Sequence, residues 1–169
     1  VKGHIVAKWG GSAEWVSQRA YSFLTLPGRI LLFAISDDAK QGDGFFHTFV
    51  TPPDVFTLNA WYHVAAVYDQ SVGIRRIFVN GVQIAERTDP PITLTSSIAD
   101  LAIGALALSP ATVLDLFAGL IDEVEIYDRA LSASEIQAIY NAGSAGKCKN
   151  MPPVAQCQDV TVDAGADCM

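Results

Sequence analysis

The sequence predicts an all-β fold: two antiparallel sheets packed face to face as a jelly-roll sandwich, with one short helix near the C-terminal end. Three observations lead there. Asn80-Gly81 interrupts a long β-prone run at 74–87, and this dipeptide is the strongest short-range hairpin signal. Pro27-Gly28, the polar loop 37–44, Pro52-Pro53 and Pro90-Pro91 divide the rest into short segments. Finally, Leu120, Asp122, Val124 and Ile126 alternate with Ile121, Glu123, Glu125 and Tyr127, the period of a strand. A run of short strands closed by one helix packs most simply as a sandwich.

The expected strands are 4–9, 17–24, 29–36, 45–50, 61–69, 74–87 folded at its Asn-Gly turn, 101–105 and 116–127. The expected helix is 134–141. Ser132 with Glu135 forms a capping box, and Leu131 with Ile136 has the spacing of a hydrophobic staple. Ile136, Ile139 and Tyr140 make one apolar stripe, and Gly143 is the natural stop. At about two and a half turns the helix is too short to stand alone in water, so it must dock on a sheet.

Composition bounds the function classes. The 169 residues are 50% apolar, enough for a real core. Eleven Lys and Arg against eighteen Asp and Glu give a charge of −7, with no basic run. That balance argues against nucleic-acid partners and against insertion at an anionic membrane. No run is long enough to span a bilayer, and no signal peptide is present. The chain opens at Val1 inside strand-like sequence, which reads as a piece of a larger polypeptide.

Three domain segments are expected: a sandwich over 1–145, a linker over 146–155, and the opening fragment of a following module over 156–169. Cys148, Cys157 and Cys168 all fall after the sandwich, and their spacings of eight and ten intervening residues match no zinc or redox motif. They read as disulfide partners of an exported protein. Cys157–Cys168 is the favoured pair and Cys148–Cys157 its competitor.

Three blocks carry a family resemblance: HIVAKWG at 4–10, WYHVAAVYD with IRRIFVNGVQIAE at 61–86, and GLIDEVEIYDRALSASEIQAIYNAG at 119–143. The chain resembles the laminin-G-like, concanavalin A-like domains of secreted bacterial proteins. Its tail resembles the start of an immunoglobulin-like repeat. The resemblance implies a non-catalytic binding or adhesion module, with carbohydrate as the expected ligand class, secreted or displayed at a cell surface. The alternative is a structural or protein-interaction spacer. Relatives open with strands before the position of His4 that this sequence lacks, so a complementing N-terminal segment or a second chain is an expected partner.

Candidate site residues follow. Strand period places Asp122 on the apolar face, where a carboxylate needs a cation or several donors. Calcium is one reading, and backbone N–H groups or Arg129 are the other. The resemblance supports calcium, which needs about six to eight oxygens. Asp37, Asp38 and Asp43 crowd one loop and form the second calcium candidate. Trp15, in a Gly- and Ser-rich connection, and Asp69, at a strand end, are the expected ligand-binding residues, because binding sites on sandwiches sit on loops. Trp61 opens a strand and is expected in the core. Glu123 and Glu125 share a face about 7 Å apart, so a glycosidase pair is geometrically allowed, although no catalytic role is expected for them.

Overall fold

A computed structural model describes residues 2–10, 19–37, 46–94, 96–109 and 111–143. The cysteines, the linker and the C-terminal segment, together with Trp15, Asp38 and Asp43, lie outside the described residues. The described chain forms ten strands and one helix. One antiparallel sheet of five strands has the order β4-β3-β2-β1-β8, built from β1 (Gly3–Trp9), β2 (Arg19–Leu26), β3 (Ile30–Ser36), β4 (Phe46–Val50) and β8 (Leu101–Ile103). A second, of order β5-β6-β7, comprises β5 (Val64–Asp69), β6 (Ile74–Val79) and β7 (Val82–Thr88). β9 (Leu106–Ser109) and β10 (Thr112–Leu114) make a separate ribbon, and α1 covers Ala133–Ala142.

The sandwich core lies between the two larger sheets. Phe23, Leu31, Phe33, Ile35 and Phe49 from the first meet Ile77 and Val79 from the second, all buried. Alternation does the sorting: Ile77 and Val79 face this core, while Phe78 between them faces outward. That outward face is covered by the helix. Phe78 and Val67 pack with Leu131 and Ile136 in a second buried cluster. The helix begins as expected: Ser132 accepts from the Glu135 N–H at 3.2 Å, and Glu135 accepts from the Ser132 N–H at 2.8 Å. Leu131 and Ile136, the staple pair, are both buried. Gly143 caps the other end through its N–H to the Tyr140 carbonyl. Asn80 and Gly81 both adopt positive φ, 50° and 77°, and turn β6 directly into β7.

Two sequence expectations are corrected. Residues 116–127 form no strand, and Asp122 is exposed rather than core-facing. Alternation fixes which side chains share a face only while the backbone stays extended and has a neighbour to pair with. Here Glu123 takes φ 52°, which breaks the extended path midway. Leu120 is left 77% exposed and Ile126 53%. Trp61 is also outside the core, because β5 starts only at Val64. The β9–β10 ribbon, not foreseen from sequence, takes up residues that precede this segment. No described helix is long and apolar enough to cross a membrane.

Candidate binding surface

The loop between β4 and β5 is the best-built exposed apolar feature on the described surface. Its first half is tied to the β2–β3 turn. Thr51 N–H donates to the Leu31 carbonyl at 3.0 Å, Asp54 N–H to that of Gly28 at 3.0 Å and Val55 N–H to that of Arg29 at 3.2 Å. The Leu31 N–H donates to Thr51 Oγ1 at 3.1 Å, and Arg29 pairs with Asp54. Asp54 and Asn59 hold φ of 62° and 59°, turns that their short polar side chains tolerate.

The second half is braced from within. Tyr62 packs on the sandwich core, meets Phe56 edge-on at 6.2 Å, and accepts the Thr57 N–H at 3.0 Å. Its hydroxyl also bonds the Thr57 hydroxyl at 2.9 Å. Those bonds, first with the Thr57 side chain and then its N–H, draw the phenol below its usual pKa. After the loop, His63 N–H donates to Asn80 Oδ1 at 3.0 Å, and Asn80 N–H returns a bond to the His63 carbonyl at 2.7 Å. Between these anchors Leu58 is 74% exposed and Trp61 65%. Exposing a Trp and a Leu on a fixed loop forgoes burial worth about 1.5–3 kcal/mol for a Leu-sized side chain. Such a platform is suited to stacking against an apolar ligand face.

The acidic candidates occupy other positions. Asp69 caps the β5–β6 turn: its Oδ1 accepts from the Ser71 hydroxyl at 2.6 Å and the Ser71 N–H at 3.0 Å. The Ser71 side chain is the main reason its carboxyl is held below the usual range. Asp122 Oδ1 accepts from the Glu123 N–H at 2.8 Å. Arg129, its alternative partner, is engaged by Glu135 through two bonds of 3.0 and 2.6 Å. No group of three or more His, Cys, Asp or Glu suited to a metal occurs among the described residues. Asp37 differs. Its Oδ1 is buried without a hydrogen-bond partner, which suits a first cation ligand beside Asp38 and Asp43 in the sequence. Glu123 and Glu125 lie on an exposed segment, with Glu125 accepting from the Tyr127 hydroxyl.

One residue that sequence reading undervalued is Arg75, only 1% exposed on the core side of β6. Its Nη1 donates to the His47 carbonyl at 2.7 Å, Nη2 pairs with Asp89, and its guanidinium lies 5.9 Å from the centre of the Phe49 ring. Burial pushes the Asp89 carboxyl up, but hydrogen bonds from Arg75 and Arg87 outweigh it and hold the group below its usual range. Nearby, the Tyr68 hydroxyl donates to the Ile92 carbonyl at 2.7 Å and accepts the Ile92 N–H at 2.8 Å. The signal was available, since Arg75 has the parity of Ile77 and Val79.

Comparisons with known proteins agree with this architecture. The Laminin_G_3 family of the concanavalin A-like lectin/glucanases superfamily matches residues 5–137. No curated protein matches the chain significantly in sequence. Among solved structures, the IT-sialidase CBM40 of Ruminococcus gnavus aligns with TM-score 0.66 at 19% identity, over 82% of this chain and 73% of that one. A heptameric SAP-like pentraxin from Limulus polyphemus aligns with TM-score 0.59 at 15% identity, over 90% and 66%. An S-layer domain-containing protein of Clostridium thermocellum aligns with TM-score 0.43 at 22% identity, over 71% of this chain and about half, 55%, of its own. At these identities the likeness concerns the fold.

Proposed function

The chain belongs to the Laminin_G_3 family of the concanavalin A-like lectin/glucanases superfamily, and from that premise we propose that it is a non-catalytic carbohydrate-binding module of a secreted or cell-surface protein. The observation that carries this reading is Trp61, exposed beside Leu58 on a loop anchored at both ends. An exposed indole on an anchored loop can offer a flat apolar face to the C–H side of a sugar ring, while Asn59 and the Arg29–Asp54 pair supply polar groups at the same loop. Trp15 and Asp69 remain proposed secondary contacts. Calcium is proposed at Asp37, Asp38 and Asp43, on the strength of the orphaned Asp37 oxygen.

The CBM40 neighbour has been solved bound to α2,3- and α2,6-sialyllactose. Those two trisaccharides are therefore the first ligands to test, alongside neutral galactosides and glucans. Calorimetric titration with each sugar should give saturable binding for at least one class, weakened by Trp61→Ala. The spacer reading stands if the folded chain retains no glycan at all.

A further inference from the structure

Resting on the carbohydrate-binding reading of Trp61, we propose that the same site continues past His63 onto the end of α1 and takes a neutral oligosaccharide of at least two rings, with Tyr140 as its second stacking face. His63 joins the two faces. It follows Trp61 by two residues, which holds their Cα atoms within about 7 Å of each other. Its ring meets that of Tyr140 at 6.0 Å, tilted by 44°. Its backbone N–H and carbonyl are both bonded to Asn80, which fixes it to the β6–β7 turn. The helix is fitted to the same turn, since a Cβ on Gly81 would come within 2.7 Å of Gln137 Nε2. Tyr140 shares a helical stripe with Ile136, yet it is 40% exposed while Ile136 is buried. Among the described residues Tyr140 meets the His63 ring and not that of Trp61, so indole and phenol are separate faces, each able to stack one sugar ring.

The polar groups beside Tyr140 are neutral. Gln137 Nε2 donates to Asn141 Oδ1 at 3.0 Å, which leaves the Gln137 carbonyl oxygen and the Asn141 amide hydrogens for ligand hydroxyls. Carbonyls of the last helical turn lack helical donors and add acceptors for hydroxyl protons. Charge then selects the ligand class. Residues 55–62 and 136–143 contain no Asp, Glu, Lys or Arg. No basic residue lies in the last turn of α1, and that end carries the negative pole of the helix dipole, which disfavours an anion. The cation that the loop does contact, Arg29, is paired with Asp54. A sugar carboxylate would find no unpaired Lys or Arg in these segments, whereas hydroxyls find amides, carbonyls and two aromatic faces.

The test titrates the full chain, followed by NMR, with the monosaccharides and β1,4-linked tetrasaccharides of glucose, galactose, mannose and N-acetylglucosamine, and with both sialyllactoses. At least one neutral tetrasaccharide should bind tenfold or more tighter than its monosaccharide, and tighter than either sialyllactose. Tyr140→Ala should remove most of that gain while leaving monosaccharide affinity and the melting temperature unchanged. Tyr140→Phe, which keeps the ring, should retain the gain, and Gln137→Ala with Asn141→Ala should reduce it severalfold. Trp61→Ala should weaken monosaccharide and tetrasaccharide alike. A tetrasaccharide no tighter than its monosaccharide, a gain indifferent to Tyr140→Ala, or tightest binding by a sialyllactose would overturn the extension onto α1, while Trp61-dependent binding would keep the carbohydrate reading. Binding of none of the sugars by the folded chain would overturn both.

Discussion

Arg75 on β6 reaches across the sandwich and donates to the carbonyl of His47 on β4 at 2.7 Å. It links the middle strand of one sheet to the edge strand of the other, at the end of β6 away from Asn80 and the Trp61 loop. With Asp89 as counter-ion, the guanidinium closes an end that apolar residues leave open. Removing one partner should be costly, because it strands a buried charge: Asp89→Ala is expected to destabilise by about 3 kcal/mol, reduced somewhat because Asp89 itself is partly exposed. Arg75→Met combined with Asp89→Leu should recover most of that loss. Urea denaturation of the single and double variants measures both effects.

The helix is an outer cover for the second sheet, so its anchor should behave as a core residue. Ile136 is 1% exposed against Phe78 and Val67. Ile136→Ala is expected to cost about 2–4 kcal/mol, read by the same denaturation curves. A cost below about 0.5 kcal/mol, typical of surface substitutions, would show that the helix does not dock there.

That helix was fully legible in the sequence, because caps and staples are local. The existence of β1 to β7 was legible too, because alternation and breakers act over a few residues, although the ends of β2 and the start of β5 were not. Residues 116–127 were misread because alternation states which side chains share a face, while strand formation needs a paired neighbour. Asp122 consequently lost its place on the core face. Trp61 was misplaced for a related reason: the loop opened by Pro52-Pro53 continues to His63, and only tertiary bonds such as His63 to Asn80 set where β5 starts. Arg75 was visible by parity, but its partners His47 and Asp89 are distant in sequence.

Several groups give stability a pH dependence, and His4 and Glu135 begin to act at different pH. His4 is buried beside Asp115 and Lys2, with Nδ1 3.8 Å from the Asp115 carboxylate, and its backbone N–H donates to the Asp115 carbonyl. Burial lowers its pKa from 6.5, with Asp115 opposing and Lys2 assisting. The unfolded chain therefore binds this proton first, so stability should be full above pH 6.5 and fall as the pH drops below it. His4→Gln should flatten that step. Glu135, bonded chiefly by Arg129 and then by Ser132, is lowered from 4.5 to about 2, so its contribution is present above pH 4.5 and lost between there and about 2. Thermal melts across pH 2–8 should show both losses, and Glu135→Gln should shrink the acid one, to which the lowered carboxyls of Asp69 and Asp89 also contribute.

Calcium should act through Asp37. Titrating the metal-free chain with calcium is expected to raise the melting temperature, and Asp37→Asn should abolish most of the rise while Asp122→Asn leaves it intact. A response lost only with Asp122→Asn would move the site to the exposed segment. No heat of binding in the calorimeter would remove calcium from the account.

The carbohydrate-binding reading rests on Trp61, and the most direct measurement is a glycan array followed by calorimetry on the retained sugar, run with the native chain and Trp61→Ala in parallel. Because Trp61 is exposed, the variant should keep its melting temperature while affinity falls at least tenfold, about 1.4 kcal/mol. Retention of no glycan by the folded native chain, or equal affinity in the variant, would contradict the account.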